Sequence, residues 1–244
     1  MCTIGYLPDL GLVFKNRDKS DQTAEEVVRD GSVLAARTVG ADYYSCGLNS
    51  AGCAFVSAAI NSPRWMEHLY RGETAQAAAF LAAENEGLSN PARVVSAGLR
   101  ACRSAKEILD RLRADKSSWR GYNIIIADGA GAWLAELRGR EIQARPLTSR
   151  TAATNHFCKI KYGPTKDDYP STHRRLAYAQ KKLAAAASLD DVFAMLRPRD
   201  PEDAKAIWRT GVFSTISSVV IDLNGRALHR CAGLDTDYRR EELA

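Results

Sequence analysis

Short apolar runs bounded by turn-forming residues set the pattern of the first part of the chain. Residues 2–7 (CTIGYL) and 11–15 (GLVFK) are β-prone and are separated by P-D-L-G, so the spacing predicts a hairpin that opens on Cys2. Residues 42–61 (DYYSCGLNSAGCAFVSAAIN) repeat the form around the turn-like L-N-S-A-G. A third pair follows at 123–137, where NIIIAD and AWLAEL flank GAG, and strand character continues through EIQARPL and TSRTAATNHF.

Helical spacing lies between these runs. Residues 73–87 (ETAQAAAFLAAENEG) are alanine-rich and meet a C-terminal stop at Gly87, while 92–115 carry Val95, Leu99, Cys102, Ile108 and Leu112 at mostly helical intervals. Thr172 is placed to cap a helix over HRRLAYAQKKLAAAA, and S-L-D-D at 188–191 forms a capping-box-like start for VFAMLR. The chain returns to strand in VFSTISSVVIDL and RALHRCAG, joined by Asn224-Gly225, a strong hairpin signal. The order β, α, β, α, β predicts an α+β protein with long antiparallel sheets and helices on their faces.

Composition narrows the class. At 244 residues, with 45% hydrophobic and 26% charged positions, the chain reads as one globular domain over 1–244. No apolar run approaches the ~18 residues of a membrane span, and no basic-then-apolar leader is visible, so the cytoplasm is the expected location. The net charge of +5 is interleaved with acidic residues rather than clustered. It does not point to nucleic acid, and it leaves room for an anionic substrate or an acidic carrier protein. Six cysteines without C-x-x-C spacing read as reduced thiols, and four histidines without ligand spacing give no support for a metal or other cofactor.

The candidate chemistry begins at Cys2. Once Met1 is removed, this residue carries a thiol and a free α-amine, a nucleophile together with its own base. One hairpin later the chain places Lys15, Asn16, Arg17 and Asp18 in a row, read as a polar loop; A-I-N ends at Asn61, and Thr154-Asn155-His156-Phe157 lies deep in the sequence. With F-K-N-R-D, the G-L-N-x-x-G turn, T-N-H-F and Ser171-Thr172-His173-Arg174 in this order, the chain resembles the cysteine-type N-terminal nucleophile (Ntn) hydrolases. The nearest branches hold conjugated bile acid hydrolases, penicillin V acylases, isopenicillin-N acyltransferases and carcinine-hydrolase-like enzymes.

The resemblance implies a four-layer αββα sandwich and an amidohydrolase or acyltransferase acting on a linear amide, or an acyl thioester, of a small molecule. In it Cys2 is the nucleophile, Lys15 or Arg17 the cation beside the thiol, and Asp18 the partner of the α-amine. Asn61 is the oxyanion donor, and Asn155 orients the nucleophile. The family's arginine in this motif is Lys15 here and Arg17 takes the variable position, so which of the two faces the thiol stays open. A later family arginine has only Arg209 as a loose counterpart and is not assigned. Asn49 is read as a turn residue and His156 as structural. The expected partners are a small-molecule amide or acyl substrate, with an acidic carrier protein as one form of acyl donor and self-association into a homo-oligomer allowed. The rival is a non-catalytic ligand-binding protein of the Asn-Arg-Asp-Glu type, which also begins Met-Cys; here Lys19 follows N-R-D in place of the glutamate.

Overall fold

The computed structural model describes residues 1–20, 23–163, 165–167, 169–233 and 236–243. Among these the chain opens with β1 (Cys2–Leu7), β2 (Leu12–Lys19), β3 (Glu25–Asp30), β4 (Val33–Thr38), β5 (Cys46–Asn49) and β6 (Ala54–Ala59). Helices α1 (Pro63–Tyr70), α2 (Thr74–Glu84), α3 (Pro91–Ala101) and α4 (Ala105–Ala114) follow. Next come β7 (Trp119–Asp128), β8 (Gly131–Gly139), β9 (Glu141–Leu147) and β10 (Thr151–Ala153), then α5 (Pro170–Ala185), α6 (Leu189–Leu196) and α7 (Pro201–Ile207). The chain closes with β11 (Ser214–Asp222), β12 (Ala227–Cys231) and β13 (Arg239–Glu242).

These strands make two antiparallel sheets, one ordered β10-β1-β2-β11-β12-β13 and the other β3-β4-β5-β6-β7-β8-β9. Alternation along β1 and β2 decides what lies where. Cys2, Ile4, Tyr6 and Val13 join the apolar layer between the sheets, with Leu48, Val56 and Ile125 opposite. Leu7, Leu12 and Phe14 face outward onto α5 and α6, where Ala179, Leu183 and Val192 cover them. On the far side α3 and α4 cover the second sheet through Val95, Leu99, Ile108 and Leu112. The result is the αββα sandwich that the resemblance implies. At Gly5, a Cβ would lie 2.3 Å from the ring of Phe14, its cross-strand partner, so the side chain there must be hydrogen. No helix is long and apolar enough to cross a membrane among the described residues.

Several elements differ from the sequence reading. Lys15 to Asp18 are not a loop but the buried second half of β2. The helical spacing over 92–115 is broken at Cys102: Asn49 donates to the carbonyls of Leu99 and Cys102 at 2.8 and 2.9 Å, and Ser104 caps α4 by accepting from Glu107 N–H at 3.2 Å. Asn49 is thus a buried clamp at the end of β5, beyond its part in the turn, where its Oδ1 accepts from Cys53 N–H. Of TSRTAATNHF only Thr151–Ala153 is strand. Helix α5 starts at Pro170, which puts Thr172 inside it rather than at its cap. Strands β3, β4 and β13 and the short helices α1 and α7 are not among the elements that the sequence pattern predicts.

Candidate active site

Strand register brings the site together. In the β1–β10 ladder Ile4 pairs with Ala153, and continuing the antiparallel count sets Asn155 opposite Cys2. In the β1–β2 ladder Cys2 pairs directly with Arg17, and Ile4 with Lys15. Cross-strand partners share a face, so Cys2, Lys15 and Arg17 all project into the layer between the sheets.

Asn155 is held on every side. Its Oδ1 accepts the Cys2 backbone N–H at 2.8 Å and Arg175 Nη2 at 2.9 Å, its Nδ2 donates to the Ala59 carbonyl at the end of β6, and its own N–H donates to Thr172 Oγ1 at 2.9 Å. Asn123 on β7 fixes the segment further by donating to the carbonyls of Thr154 and His156. The Asn155 amide thus joins Cys2 and Arg175 to the end of β6, with both of its ends committed.

Arg175 is the residue that sequence reasoning missed. It is 1% exposed, donates to the Cys2 carbonyl at 2.7 Å and to Thr3 Oγ1 at 3.1 Å, and lies 3.9 Å from an Asp18 oxygen. The S-x-x-R motif points to Arg174, which faces solvent instead. A signal existed in the phase of α5, whose buried positions Thr172, Arg175, Ala179 and Leu183 form one helical stripe with two polar members.

Asp18 is 2% exposed. Its Oδ1 accepts from Thr215 Oγ1 at 2.7 Å, across a bulge in the β2–β11 ladder, while its Oδ2 is buried with no hydrogen-bond donor. Lys15 donates from Nζ to the Ser45 carbonyl at 3.0 Å, and no carboxylate is within ion-pair distance of it among the described residues. Arg17 bonds Glu25 of β3 and Thr38 of β4. Burial opposes the charge on both members of the Arg17–Glu25 pair, but their attraction outweighs it: the guanidinium is held above its ordinary value and the carboxyl below. Asn61 lies half-buried in the segment after β6, and its side-chain amide has no hydrogen-bond partner among the described residues.

His156 serves structure. Its Nδ1 lies 3.0 Å from Thr172 Oγ1, its ring stacks on His173 at 3.9 Å, and burial, helped by His173 and Arg175, pushes it down to about 4 from 6.5. The folded state thus refuses a proton that the unfolded chain accepts. Stability from this group is complete above pH 6.5 and falls as the pH drops toward 4, by about 3 kcal/mol in all. His156→Gln is expected to flatten the loss of Tm over that range relative to the native protein; parallel Tm profiles would contradict the assignment.

Residues 74–237 match the family of acyl-coenzyme A:6-aminopenicillanic acid acyl-transferases. The chain belongs to that family. No curated protein matches the sequence. Among solved structures, a mutant of the conjugated bile acid hydrolase from Clostridium perfringens superposes with a TM-score of 0.62 at 11% identity, covering 100% of this chain and 92% of that one. The Caenorhabditis elegans ortholog of N-acylethanolamine-hydrolyzing acid amidase gives 0.59 at 12% identity, covering 91% and 93%. Penicillin V acylase from Agrobacterium tumefaciens gives 0.52 at 13% identity, covering 100% and 86%. Family and fold together set this acyl-transferase family member among the Ntn amide hydrolases and acyltransferases. The family match starts beyond β1 and β2, so in this member the hairpin that carries Cys2 and Asp18 is tied to the matched part by register and hydrogen bonds.

Proposed function

We propose that the protein cleaves or transfers the acyl group of a small-molecule amide or acyl thioester through an acyl-Cys2 intermediate. The observation that carries this reading is the bracketing of Cys2: its N–H is held by Asn155, its carbonyl by Arg175, and its cross-strand neighbour is Arg17. That the similar structures are a bile acid conjugate hydrolase, an N-acylethanolamine-hydrolyzing amidase and a penicillin acylase supports a small-molecule amide.

With Met1 removed, the nitrogen of Cys2 is an amine that Asn155 Oδ1 keeps oriented by accepting one of its protons. The Cys2 Sγ bonds to the substrate carbonyl carbon as the thiol proton passes to that amine. Lys15 and Arg17 place positive charge on the face of β2 that Cys2 shares, Lys15 with the less compensated charge because Glu25 pairs with Arg17. Asp18 Oδ2, which accepts no hydrogen bond and has Arg175 at 3.9 Å as its ion-pair partner, suits the ammonium that forms next. Asn61, whose amide is free to donate, is assigned to the oxyanion. Collapse breaks the C–N bond, the ammonium proton goes to the leaving nitrogen, and the acyl group stays on sulfur. Water or an amine then attacks the thioester, its proton passes to the α-amine, and the C–S bond breaks to restore the thiol. An acyl thioester, free or on an acidic carrier protein, enters the same cycle with a thiol as leaving group.

The test is to quench turnover of an activated amide such as phenylacetyl-p-nitroanilide in acid and map the peptides by mass. The added acyl mass is expected on Cys2 alone. Turnover with no acyl adduct on Cys2 under single-turnover conditions would overturn the intermediate.

A further inference from the structure

We propose that the space now filled by Met1 is the acyl pocket of the enzyme, and that it selects an acyl chain ending in a carboxylate. The inference rests on the acyl-Cys2 reading and adds to it the substrate class.

Met1 extends the β1–β2 ladder by one residue. Its amine donates to the Asp18 carbonyl, and the Asp18 N–H donates to the Met1 carbonyl at 2.5 Å. When Met1 leaves, both backbone groups of this buried strand end lose their partner. A substrate carbonyl set against the Cys2 sulfur, displaced from the place of the Met1 carbonyl by the free amine, is within reach of the Asp18 N–H that Met1 vacates.

The Met1 side chain marks where the rest of the acyl group goes. It packs against a cluster of Trp65, Met66, Tyr169 and Phe213, in which the rings of Trp65 and Phe213 meet edge-on at 5.5 Å. At the far end of that side chain stands Arg209. Its Nη1 lies 3.5 Å from Met1 Sδ and bonds the Tyr169 hydroxyl, and its Nη2 donates to the Tyr70 hydroxyl at 3.0 Å. The guanidinium lies over the Phe213 ring at 5.1 Å. Among the described residues no carboxylate is within ion-pair distance of it; the acid that acts on it electrostatically is Asp18.

A guanidinium keeps its charge at every working pH and has a fork of donors suited to a carboxylate, whereas a thioether sulfur is a weak acceptor. Met1 thus matches the apolar wall of the pocket and leaves its cationic end poorly served. An acyl chain about as long as methionine and ending in a carboxylate matches both. The backbone that carries the cation is also tied to the site: the Arg209 backbone N–H donates to Thr215 Oγ1 at 2.8 Å, and that same hydroxyl donates to Asp18 Oδ1.

The experiment compares glutaryl- and adipoyl-p-nitroanilide with their neutral counterparts, pentanoyl- and hexanoyl-p-nitroanilide, on protein lacking Met1. The carboxylated member of each pair is expected to have a kcat/KM about 10- to 100-fold higher, the range of one charge-assisted hydrogen bond. In Arg209→Gln that ratio is expected to fall to about 1. A ratio near 1 in the native protein, or one that survives Arg209→Gln, overturns the inference. Acyl-Cys2 formed from hexanoyl-p-nitroanilide reports on the nucleophile independently, so an adduct without carboxylate preference removes this inference and leaves the mechanism. Should no substrate turn over, or Arg209→Gln not fold, calorimetry on Met1-free Cys2→Ala decides the pocket: adipic monoamide is expected to bind at least about tenfold tighter than hexanamide, and equal affinity refutes the assignment.

Discussion

Cys2→Ala is expected to reduce turnover to the uncatalysed rate while the protein stays folded. The side chain sits at the first position of β1, 7% exposed, at the edge of the layer between the sheets, and losing one sulfur there costs about 1 kcal/mol. The backbone contacts that order the site, from Cys2 N–H to Asn155 and from Arg175 to the Cys2 carbonyl, do not involve the thiol and persist in alanine. No other cysteine stands in. Burial pushes Cys46 up to about 11 and Cys53 up to about 12, which keeps both as inert thiols at neutral pH; Cys102 is raised in the same way, Cys158, though on the surface, is raised by partial desolvation and by Glu136, and Cys231 is buried with its sulfur donating to the Gly233 carbonyl. Paired measurements of kcat and Tm check this. A Cys2→Ala protein as active as the native one would remove Cys2 from the mechanism.

Retention of Met1, or of a tag ahead of it, is expected to silence the enzyme by about 10²- to 10⁴-fold or more, the contribution of a lost general base. With Met1 in place the nitrogen of Cys2 is a peptide N–H whose lone pair is delocalised, so it donates to Asn155 and cannot accept the thiol proton. Met1 also fills the space proposed above for the acyl group, packed against the cluster of Tyr169 and Phe213. The two effects act in the same direction, one on the base and one on substrate access. Intact-mass measurement of active preparations should find the chain beginning at Cys2, and cutting away a tag directly before Cys2 should restore activity. Full activity with Met1 present would refute the N-terminal nucleophile mechanism.

Much of the architecture is legible because it is local. Apolar alternation and turn residues mark β1, β2, β5 to β9, β11 and β12, and Ser188 does cap α6 by accepting from Asp191 N–H at 3.2 Å. Strands β3 and β13 are hidden because they lie at the ends of their sheets and are rich in charge, as in EEVVRD and RREE, so their alternation is blurred by solvent-facing residues.

By itself the sequence determined the α+β class and the hairpin that presents Cys2; of the candidate residues that the resemblance implies, the structure draws Cys2, Asp18 and Asn155 together through Arg175, sets Lys15 and Arg17 on the face of β2 that Cys2 shares, and leaves Asn61 without a hydrogen bond to any of them. What the sequence misread was burial. Lys-Asn-Arg-Asp looks like an exposed turn, because charges leave water only when something replaces the water. Here the replacements come from distant chain: Glu25 for Arg17, the Ser45 carbonyl for Lys15, the Leu196 carbonyl for Asn16, and Thr215 for Asp18. The choice of Arg175 over Arg174 depends likewise on how α5 is rotated against β1, and only the packed helix sets that phase. Tertiary structure decided these points because the partner that makes a buried charge tolerable lies on another element, and no window along the chain contains both.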